Sequence, residues 1–293
     1  MAPRFRGSMT ALVTPFRDGQ IDREALARLV ELQIAGGTSA LVPCGSTGES
    51  ATLTHAEHAE MVGLVVKLAK GRLPVIAGTG SNSTAEAIAL TKAAKEAGAD
   101  AALLISPYYN KPTQEGIFLH YRAIAAATHC PLIVYNIPGR TASKIEAATL
   151  ARLAELDEII GLKEATGSLD EVQEVLRLCG DRLELYSGDD SLTLPIMAVG
   201  GCGVISVTSN ILPKELAAMT AAMLRGDLAE ARALHFRLLP VMKALFLETN
   251  PIPVKAALAL MGLCRDEVRL PLVAMTDAPR EKLRQALRSF GVL

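Results

Sequence analysis

The sequence contains no tryptophan, and aromatic residues make up only 4% of its 293 positions. So few aromatic side chains argue against a surface on which nucleic-acid bases stack. The formal net charge is −1, which gives no electrostatic reason to expect nucleic acid or a membrane surface as a partner. The first sixteen residues contain two arginines but no apolar stretch long enough for a signal peptide or a membrane span. We therefore expect a cytoplasmic protein that binds neither nucleic acid nor membranes.

Paired cysteine motifs are also missing. The cysteines are scattered, without a CxxC pair, at Cys44, Cys130, Cys179, Cys202 and Cys264. This spacing is typical of reduced core cysteines in a cytosolic protein, and it predicts no disulfide framework.

What the sequence does have is a regular alternation of short apolar runs with longer amphipathic stretches. Eight of the short runs have the length and composition of buried strands: SMTALV, SALVP, PVIAG, AALLIS, PLIVYN, IIGLK, LELYSG and GVISV. Helical periods separate them, as in residues 23–37 and 84–98. This α/β pattern predicts a parallel sheet, and the number eight favours a closed (β/α)8 TIM barrel over an open doubly wound sheet. No GxGxxG opens the first helix, which weakens the dinucleotide-binding alternative.

Strand patterns stop after about residue 212, and helical periodicity continues from there. We predict a (β/α)8 catalytic barrel over residues 1–225 and a C-terminal helical region, an appendage to the barrel, over residues 226–293. Several helices are expected to begin with a capping box, in which Ser or Thr precedes Glu by three residues. These pairs are Thr54 with Glu57, Ser83 with Glu86, Ser143 with Glu146 and Ser168 with Glu171.

Lys163, which ends the sixth predicted strand, is an unusual residue for that position. In a (β/α)8 barrel, function lies at the C-terminal ends of the strands. A lysine buried there has a lowered pKa, and its free amine can attack a carbonyl and form a Schiff base. The alternative is a structural ion pair with Glu164 or Asp189, because buried ion pairs also perturb pKa values.

Neighbouring strand ends carry groups that suit carbonyl chemistry. Tyr135 ends the fifth strand and could relay protons, or it could be a core tyrosine whose hydroxyl binds a carbonyl. Arg140 follows in the same loop and could hold a carboxylate in a bidentate manner. The loop GSTGES, at residues 45–50, offers hydroxyls and amides that suit a small carboxylate. Alternatively, this loop is a flexible turn.

Seven motifs together resemble the 4-hydroxy-tetrahydrodipicolinate synthase family, also called the dihydrodipicolinate synthases. They occur in family order across almost the whole chain as GSTGES, SPYYNKPTQEGI, YNIPGRT, IIGLKEATG, SGDD, GVISVTSN and NPIPVK. The wider superfamily of pyruvate-dependent class I aldolases and lyases shares the barrel and the lysine of the sixth strand. The arginine in YNIPGRT and the PYYNKP segment favour the synthase over sialic-acid lyase or keto-deoxy-sugar aldolases.

The resemblance implies a reaction without a cofactor or metal. Pyruvate would condense with L-aspartate 4-semialdehyde to 4-hydroxy-tetrahydrodipicolinate, on the diaminopimelate route to lysine. Lys163 would form the Schiff base with pyruvate, and Tyr135 would be the central proton relay, with Ser46 and Tyr109 completing a hydroxyl network. Ser46 stands where the family usually has threonine, so the hydroxyl is kept and a methyl that restricts its rotamers is lost.

Further residues take substrate-binding roles by the same resemblance. Thr47 and its amide would hold the pyruvate carboxylate, and Arg140 would bind the carboxylate of aspartate semialdehyde. Gly188 and the carbonyl of Ile205 would line the pocket. In the family, the counterpart of Tyr109 reaches into the neighbouring subunit's site. We therefore expect a homo-oligomer, either a dimer or a dimer of dimers.

The resemblance also implies a second site, at the dimer interface, for lysine as a feedback inhibitor. Glu86 would pair with the inhibitor's ammonium, while Asn82 and Tyr108 would hold its carboxylate. The matching positions are Ser50, Ala51, His55, His58, Asn82, Glu86 and Tyr108. Considered without the resemblance, His55 and His58 are either a pair of metal ligands or part of a solvated helix face.

Lys255, in NPIPVK, is the main competitor for the role of reactive lysine. Because it lies beyond the barrel strands, we interpret it as structural and paired with a carboxylate or carbonyl. Three other functions remain open on the sequence alone. They are a related aldolase that acts on a sugar acid, a catalytically silent lysine-binding sensor, and a metal-dependent aldolase that uses His55 and His58.

Overall fold

The computed structural model describes residues 5–293 of the chain. Its strands are β1 (Gly7–Ala11), β2 (Phe16–Arg17), β3 (Gln20–Ile21), β4 (Ala40–Val42), β5 (Ile76–Gly78), β6 (Ala101–Ile105), β7 (Leu132–Asn136), β8 (Ile159–Glu164), β9 (Glu184–Ser187) and β10 (Gly203–Ser206). Eight of them form one parallel sheet in the order β4-β1-β10-β9-β8-β7-β6-β5. A parallel bridge between Leu41 and Val75 joins its two ends. The predicted (β/α)8 barrel is confirmed, and β2 and β3 form a separate antiparallel pair.

Helices surround the barrel and continue beyond its last strand. They are α1 (Arg23–Ala35), α2 (His55–Ala69), α3 (Thr84–Glu96), α4 (Gln114–Thr128), α5 (Pro138–Thr141), α6 (Ala147–Leu153), α7 (Leu169–Cys179), α8 (Thr193–Ala198), α9 (Pro213–Leu224), α10 (Leu228–Ala244), α11 (Ile252–Leu260) and α12 (Asp277–Phe290). The predicted domain boundary falls between α9 and α10. The last helices share an apolar core with the barrel, in which Leu238 and Leu283 cluster with Leu12 and Leu26.

The barrel strands are buried on both faces, and alternation of side chains decides which residues point inward. Along β7, Ile133 and Tyr135 belong to the apolar cluster inside the barrel. Leu132 and Val134, between them, belong to the layer under the surrounding helices. Lys163 pairs in register with Tyr135 across β7 and β8, and it therefore faces the barrel interior near the C-terminal end.

Three of the four predicted helix starts are capped as expected. Thr54 forms the complete capping box of α2. Ser83 and Ser168 accept the expected amide hydrogen bond, although the glutamate three residues later binds elsewhere in both cases. The predicted box at Ser143 is wrong, because α6 begins later, at Ala147, and its N-cap residue makes no side-chain capping bond. Among residues 5–293, no helix has the length and apolar character needed to cross a membrane.

Candidate active site

Lys163 lies near the C-terminal end of β8, and its side chain is 6% exposed. Its Nζ lies 4.3 Å from the centre of the Tyr135 ring. The expected alternative, an ion pair with Glu164 or Asp189, is not formed in the part of the chain that the structure describes. Glu164 instead accepts hydrogen bonds from the Thr166 amide and an amide side chain on β7, and Asp189 caps the following turn. The Lys163 amine is therefore buried without a bound carboxylate.

This environment favours the neutral amine. Burial lowers the pKa of Lys163 to about 8 from its ordinary 10.5; Asp190 opposes the change and Arg140 adds to it. At pH 7 a lysine of pKa 8 is neutral in roughly a tenth of the molecules, whereas an exposed lysine is neutral in fewer than about one in a thousand. The site therefore supplies an amine that can act as a nucleophile near neutral pH.

Tyr135 is also buried, and its hydroxyl binds no protein acceptor within residues 5–293. The buried Tyr121 differs, because its Oη donates to the Leu104 carbonyl oxygen at 2.9 Å. Burial raises the pKa of Tyr135, so the phenol stays protonated at neutral pH. It is thus not a core tyrosine held by a carbonyl, and its hydroxyl is free to exchange protons beside the Lys163 amine.

The loop at residues 45–50 follows β4 and is tightly folded. The Gly48 amide donates to the Gly45 carbonyl at 3.0 Å, and a Cβ at Gly48 would lie 2.9 Å from the Cys44 nitrogen. Thr47 is buried, and its Oγ1 accepts a hydrogen bond from Asn250 Nδ2 at 3.0 Å. Ser46 lies at the edge of the pocket. This loop is therefore a hydrogen-bonded turn whose Ser46 and Thr47 line the pocket.

Arg140 lies in α5 and is exposed. Its Nη2 donates to the backbone oxygen of Asn250 at 3.0 Å. Asn250 therefore contacts both the arginine and Thr47, and its buried Oδ1 has no hydrogen-bond partner in the described structure. The sequence placed Asn250 in a motif, but it carried no signal for this contact, since Asn250 and Thr47 are 203 residues apart.

These side chains meet in a pocket of about 50 Å³ at the C-terminal end of the barrel. Its lining includes Ser46, Thr47, Tyr135, Arg140, Lys163, Gly188 and Asn250. Gly188 is in close contact with the lysine, because a Cβ there would lie 3.1 Å from Lys163 Cε. Ile205, on β10, is fully buried and is absent from the lining. The pocket joins an amine, a phenol, two small hydroxyls and a guanidinium, which is a set suited to a small keto acid.

Tyr109 is not brought to this pocket within one chain. Its side chain is 86% exposed, and its backbone has a φ of 71°, a region that non-glycine residues seldom adopt. The prediction that Tyr109 acts in a neighbouring subunit's site stays a prediction.

The chain matches the model of the dihydrodipicolinate synthetase family over residues 4–290. A 4-hydroxy-tetrahydrodipicolinate synthase of Pelobacter propionicus is 53% identical over 289 residues, which is 99% of this chain and 100% of that protein. The chain belongs to the dihydrodipicolinate synthetase family.

Solved structures of the same family superimpose closely on this fold. The dihydrodipicolinate synthase of Acinetobacter baumannii, described as chloride inhibited and complexed with pyruvate, has a TM-score of 0.97 at 46% identity, covering 99% of this chain and 100% of that one. The enzyme of Cyanidioschyzon merolae, solved with lysine bound, has a TM-score of 0.96 at 43% identity, covering 99% of both chains.

A second cavity, of about 440 Å³, adjoins the Lys163 pocket and shares Ser46, Tyr135 and Arg140 with it. Six of the seven residues that family resemblance assigned to an inhibitor site line it, namely Ser50, Ala51, His55, His58, Glu86 and Tyr108. The seventh, Asn82, is absent from the lining, and its carbonyl oxygen accepts a hydrogen bond from Asn110 Nδ2 at 2.9 Å. The cavity thus lies next to the active-site residues.

Two carboxylates line this cavity: Glu49, which is paired with Lys255, and Glu86. The Ser81 hydroxyl and His55 Nε2, at 2.8 Å, both bind the Glu86 carboxylate, and these bonds hold the pKa of Glu86 below its ordinary value. His55 is 73% exposed, as expected for a solvated helix face. His58 is buried, and its Nε2–H donates a hydrogen bond to the Gly78 carbonyl oxygen at 2.7 Å. The solvated-face interpretation is therefore wrong for His58. Within residues 5–293, no three His, Cys, Asp or Glu side chains are arranged to hold a metal ion.

Lys255 lies in α11, outside the barrel strands. Its Nζ lies 2.6 Å from Glu49 Oε1, and the exposed fractions of the two side chains are 0% and 1%. The expected pairing of Lys255 with a carboxylate is confirmed.

Proposed function

We propose that this chain condenses pyruvate with L-aspartate 4-semialdehyde to 4-hydroxy-tetrahydrodipicolinate, in the diaminopimelate route to lysine. The observation that carries the proposal is the buried Lys163 amine, which has no carboxylate partner within the described residues and lies beside the free hydroxyl of Tyr135. The pyruvate complex of the Acinetobacter baumannii relative supports pyruvate as the first substrate.

The first half of the reaction joins pyruvate to the enzyme. The Lys163 amine attacks the keto carbon of pyruvate, and loss of water from the carbinolamine gives a Schiff base. The Tyr135 hydroxyl, with Ser46, carries the protons that this dehydration requires. The Thr47 amide and hydroxyl hold the substrate carboxylate. Loss of a proton from the pyruvate methyl group then gives an enamine, whose terminal carbon is the nucleophile.

The second half builds the ring and frees the lysine. The enamine carbon attacks the aldehyde carbon of aspartate semialdehyde, and the aldehyde oxygen takes up a proton and becomes the 4-hydroxyl group. The amino group of the second substrate then adds to the Schiff-base carbon and displaces the Lys163 amine. Arg140 holds the carboxylate of the second substrate, since its guanidinium keeps donors beyond the single bond to Asn250.

Two features extend the proposal beyond one chain. The exposed Tyr109 completes the hydroxyl relay of a second subunit in a homo-oligomer, either a dimer or a dimer of dimers. The larger cavity binds lysine as an inhibitor, with the Glu86 carboxylate meeting the ligand's ammonium and Tyr108 placed for its carboxylate. The lysine-bound structure of the Cyanidioschyzon merolae relative supports this second site. A cytoplasmic location is part of the same proposal.

Trapping with borohydride tests the chemistry. Treatment with pyruvate and borohydride should attach a reduced pyruvyl group, and peptide mapping should place it on Lys163. The Lys163→Met variant should remain unlabelled, while Lys111→Met, a change at an exposed loop lysine, should label like the parent. A folded parent protein that gains no label, or gains it on another lysine, would reject the mechanism.

Substrate competition tests the reaction. Turnover with pyruvate and aspartate semialdehyde should exceed turnover with sialic or keto-deoxy sugar acids, and Arg140→Ala should selectively weaken use of the semialdehyde. Added lysine should inhibit, and Glu86→Gln should weaken that inhibition about tenfold, as expected for loss of one charge-assisted contact.

Preference for a sugar acid would instead identify a related aldolase. Lysine binding without any turnover would identify a sensor, and loss of turnover on chelation would identify a metal-dependent enzyme.

A further inference from the structure

Glu49, in the loop that carries Ser46 and Thr47, forms a buried ion pair with Lys255 of α11. Beyond the 2.6 Å contact between them, Glu49 Oε2 accepts the Arg269 amide at 3.0 Å. Lys255 Nζ lies 4.3 Å from the centre of the Phe16 ring. The carboxylate is therefore bound through both oxygens to residues distant in sequence.

Glu49 also has an unusual backbone. Its φ of 54° and ψ of 37° lie in the left-handed region, which costs a non-glycine residue of the order of 1 kcal/mol. Such a conformation persists where surrounding contacts hold it. Here the anchored carboxylate supplies that contact, two residues after Thr47.

The same C-terminal segment reaches the loop at a second point. Asn250, just before α11, donates to Thr47 Oγ1 at 3.0 Å, and Lys255 binds Glu49 from within α11. The start of α11 thus holds both Thr47 and Glu49, and it fixes where the Thr47 amide and hydroxyl face the pocket.

A buried ion pair is a poor way to stabilise a fold. The cost of removing both charges from water often exceeds their attraction, and apolar residues of similar size are commonly as stabilising or more so. Such a pair can instead specify a local geometry. Lys255 and Glu49 specify the turn at residues 45–50, whose members line the Lys163 pocket.

We propose that Glu49 and Lys255 are positioning residues for the carboxylate of the keto acid: their ion pair holds the turn that presents Thr47 to the substrate. This inference rests on the proposed function, in which Thr47 binds the pyruvate carboxylate. Neither residue needs to touch the substrate, and both act through Thr47.

The test compares neutral replacements of this pair with the same changes in an exposed pair. Glu49→Gln keeps the length of the side chain and an acceptor for the Arg269 amide, and Glu49→Gln with Lys255→Met removes both charges. Lys144 and Glu171, paired at 2.5 Å on the surface, supply the matched control as Lys144→Met with Glu171→Gln. Steady-state kinetics with pyruvate and aspartate semialdehyde, borohydride trapping and thermal unfolding are measured on all variants.

Both variants of the buried pair should raise KM for pyruvate about tenfold, while kcat changes less than about threefold, because a lost carboxylate contact weakens binding in ground and transition states alike. KM for the semialdehyde and the control pair should stay at parent values. An unchanged KM for pyruvate in a folded double variant overturns the inference. So does a fall in kcat alone, or a double variant that fails to fold, since the pair would then be stabilising the fold.

Trapping separates failure of this inference from failure of the proposed function. A parent protein that forms no pyruvyl adduct on Lys163 defeats the proposed function and the inference with it. A parent that forms the adduct, together with variants of unchanged KM, defeats the inference alone.

Discussion

Replacing Lys163 by methionine should make the protein more stable at pH 7, although it removes the proposed nucleophile. The side chain is 6% exposed, and burial lowers its pKa from 10.5 to about 8. The folded protein therefore binds this proton less tightly than the unfolded chain, and a protonated amine destabilises the folded state. The gap between the two pKa values corresponds to about 3 kcal/mol. Methionine has a similar length and carries no charge, so this cost disappears.

The sign of the pH dependence follows from the same two values. Below pH 8 both states carry the proton and the cost is fully present. Between pH 8 and 10.5 the unfolded chain keeps the proton that the folded protein has lost, so the parent gains stability as pH rises. The advantage of Lys163→Met should therefore fall from about 3 kcal/mol at pH 7 to about 1 kcal/mol at pH 9.5.

Urea unfolding followed by circular dichroism, at one protein concentration and both pH values, measures this difference. Lys111→Met is the control, because an exposed lysine should change stability by less than about 0.5 kcal/mol. A Lys163→Met variant no more stable than the parent at pH 7 would refute the reasoning. An advantage that does not shrink at pH 9.5 would refute it equally.

Three further results are expected. Borohydride-dependent labelling of Lys163 should speed up about ninefold from pH 6 to 7 and level off above pH 8, as the neutral fraction of an amine of pKa about 8 rises; a flat profile would contradict this. Tyr135→Phe should lower kcat at least about 100-fold with little change in the free energy of unfolding. Its control, Tyr121→Phe, loses a buried hydrogen bond, so it should lower the free energy of unfolding by about 1 kcal/mol and leave kcat unchanged. Gly188→Ala should lower kcat/KM about tenfold, because its Cβ would lie 2.8 Å from Ala165 Cβ, 3.0 Å from the Glu164 carbonyl oxygen and 3.1 Å from Lys163 Cε, which displaces the end of β8 and the lysine with it. Gly139→Ala, which meets open space, should have no effect.

The barrel strands could be predicted because each is a short apolar run between amphipathic stretches, which is the pattern of strands covered on both faces. The hairpin of β2 and β3 was missed because each strand has only two residues. Its turn did carry a signal. Asp18 and Gly19 both have positive φ, at 54° and 77°, as the central residues of a type I′ turn require, and Asp-Gly is typical of that turn.

The placement of residues at single strand ends was predictable, whereas contacts between distant segments were not. Lys163 and Tyr135 could be found because each ends an apolar run. Nothing local connects Glu49 with Lys255, which are 206 residues apart. The burial of His58 did have a local signal, because it shares the core-facing helical spacing of Met61, Val62 and Val65. Asking which face of α2 is apolar would have placed His58 inside.

Two buried lysines, Lys163 and Lys255, differ in what binds them, and this difference favours Lys163 as the proposed nucleophile. Lys255 is the less exposed of the two, with 0% exposure against 6% for Lys163. Burial lowers the pKa of both, but Glu49 opposes that shift at Lys255, and an ammonium bound to a carboxylate has no lone pair to give. The carboxylate that acts most on Lys163 is Asp190, whose Oδ2 already accepts three hydrogen bonds from Val207 and Thr208. Exposure alone would therefore not single out Lys163, the proposed nucleophile, whose strongest carboxylate neighbour is bound to other donors.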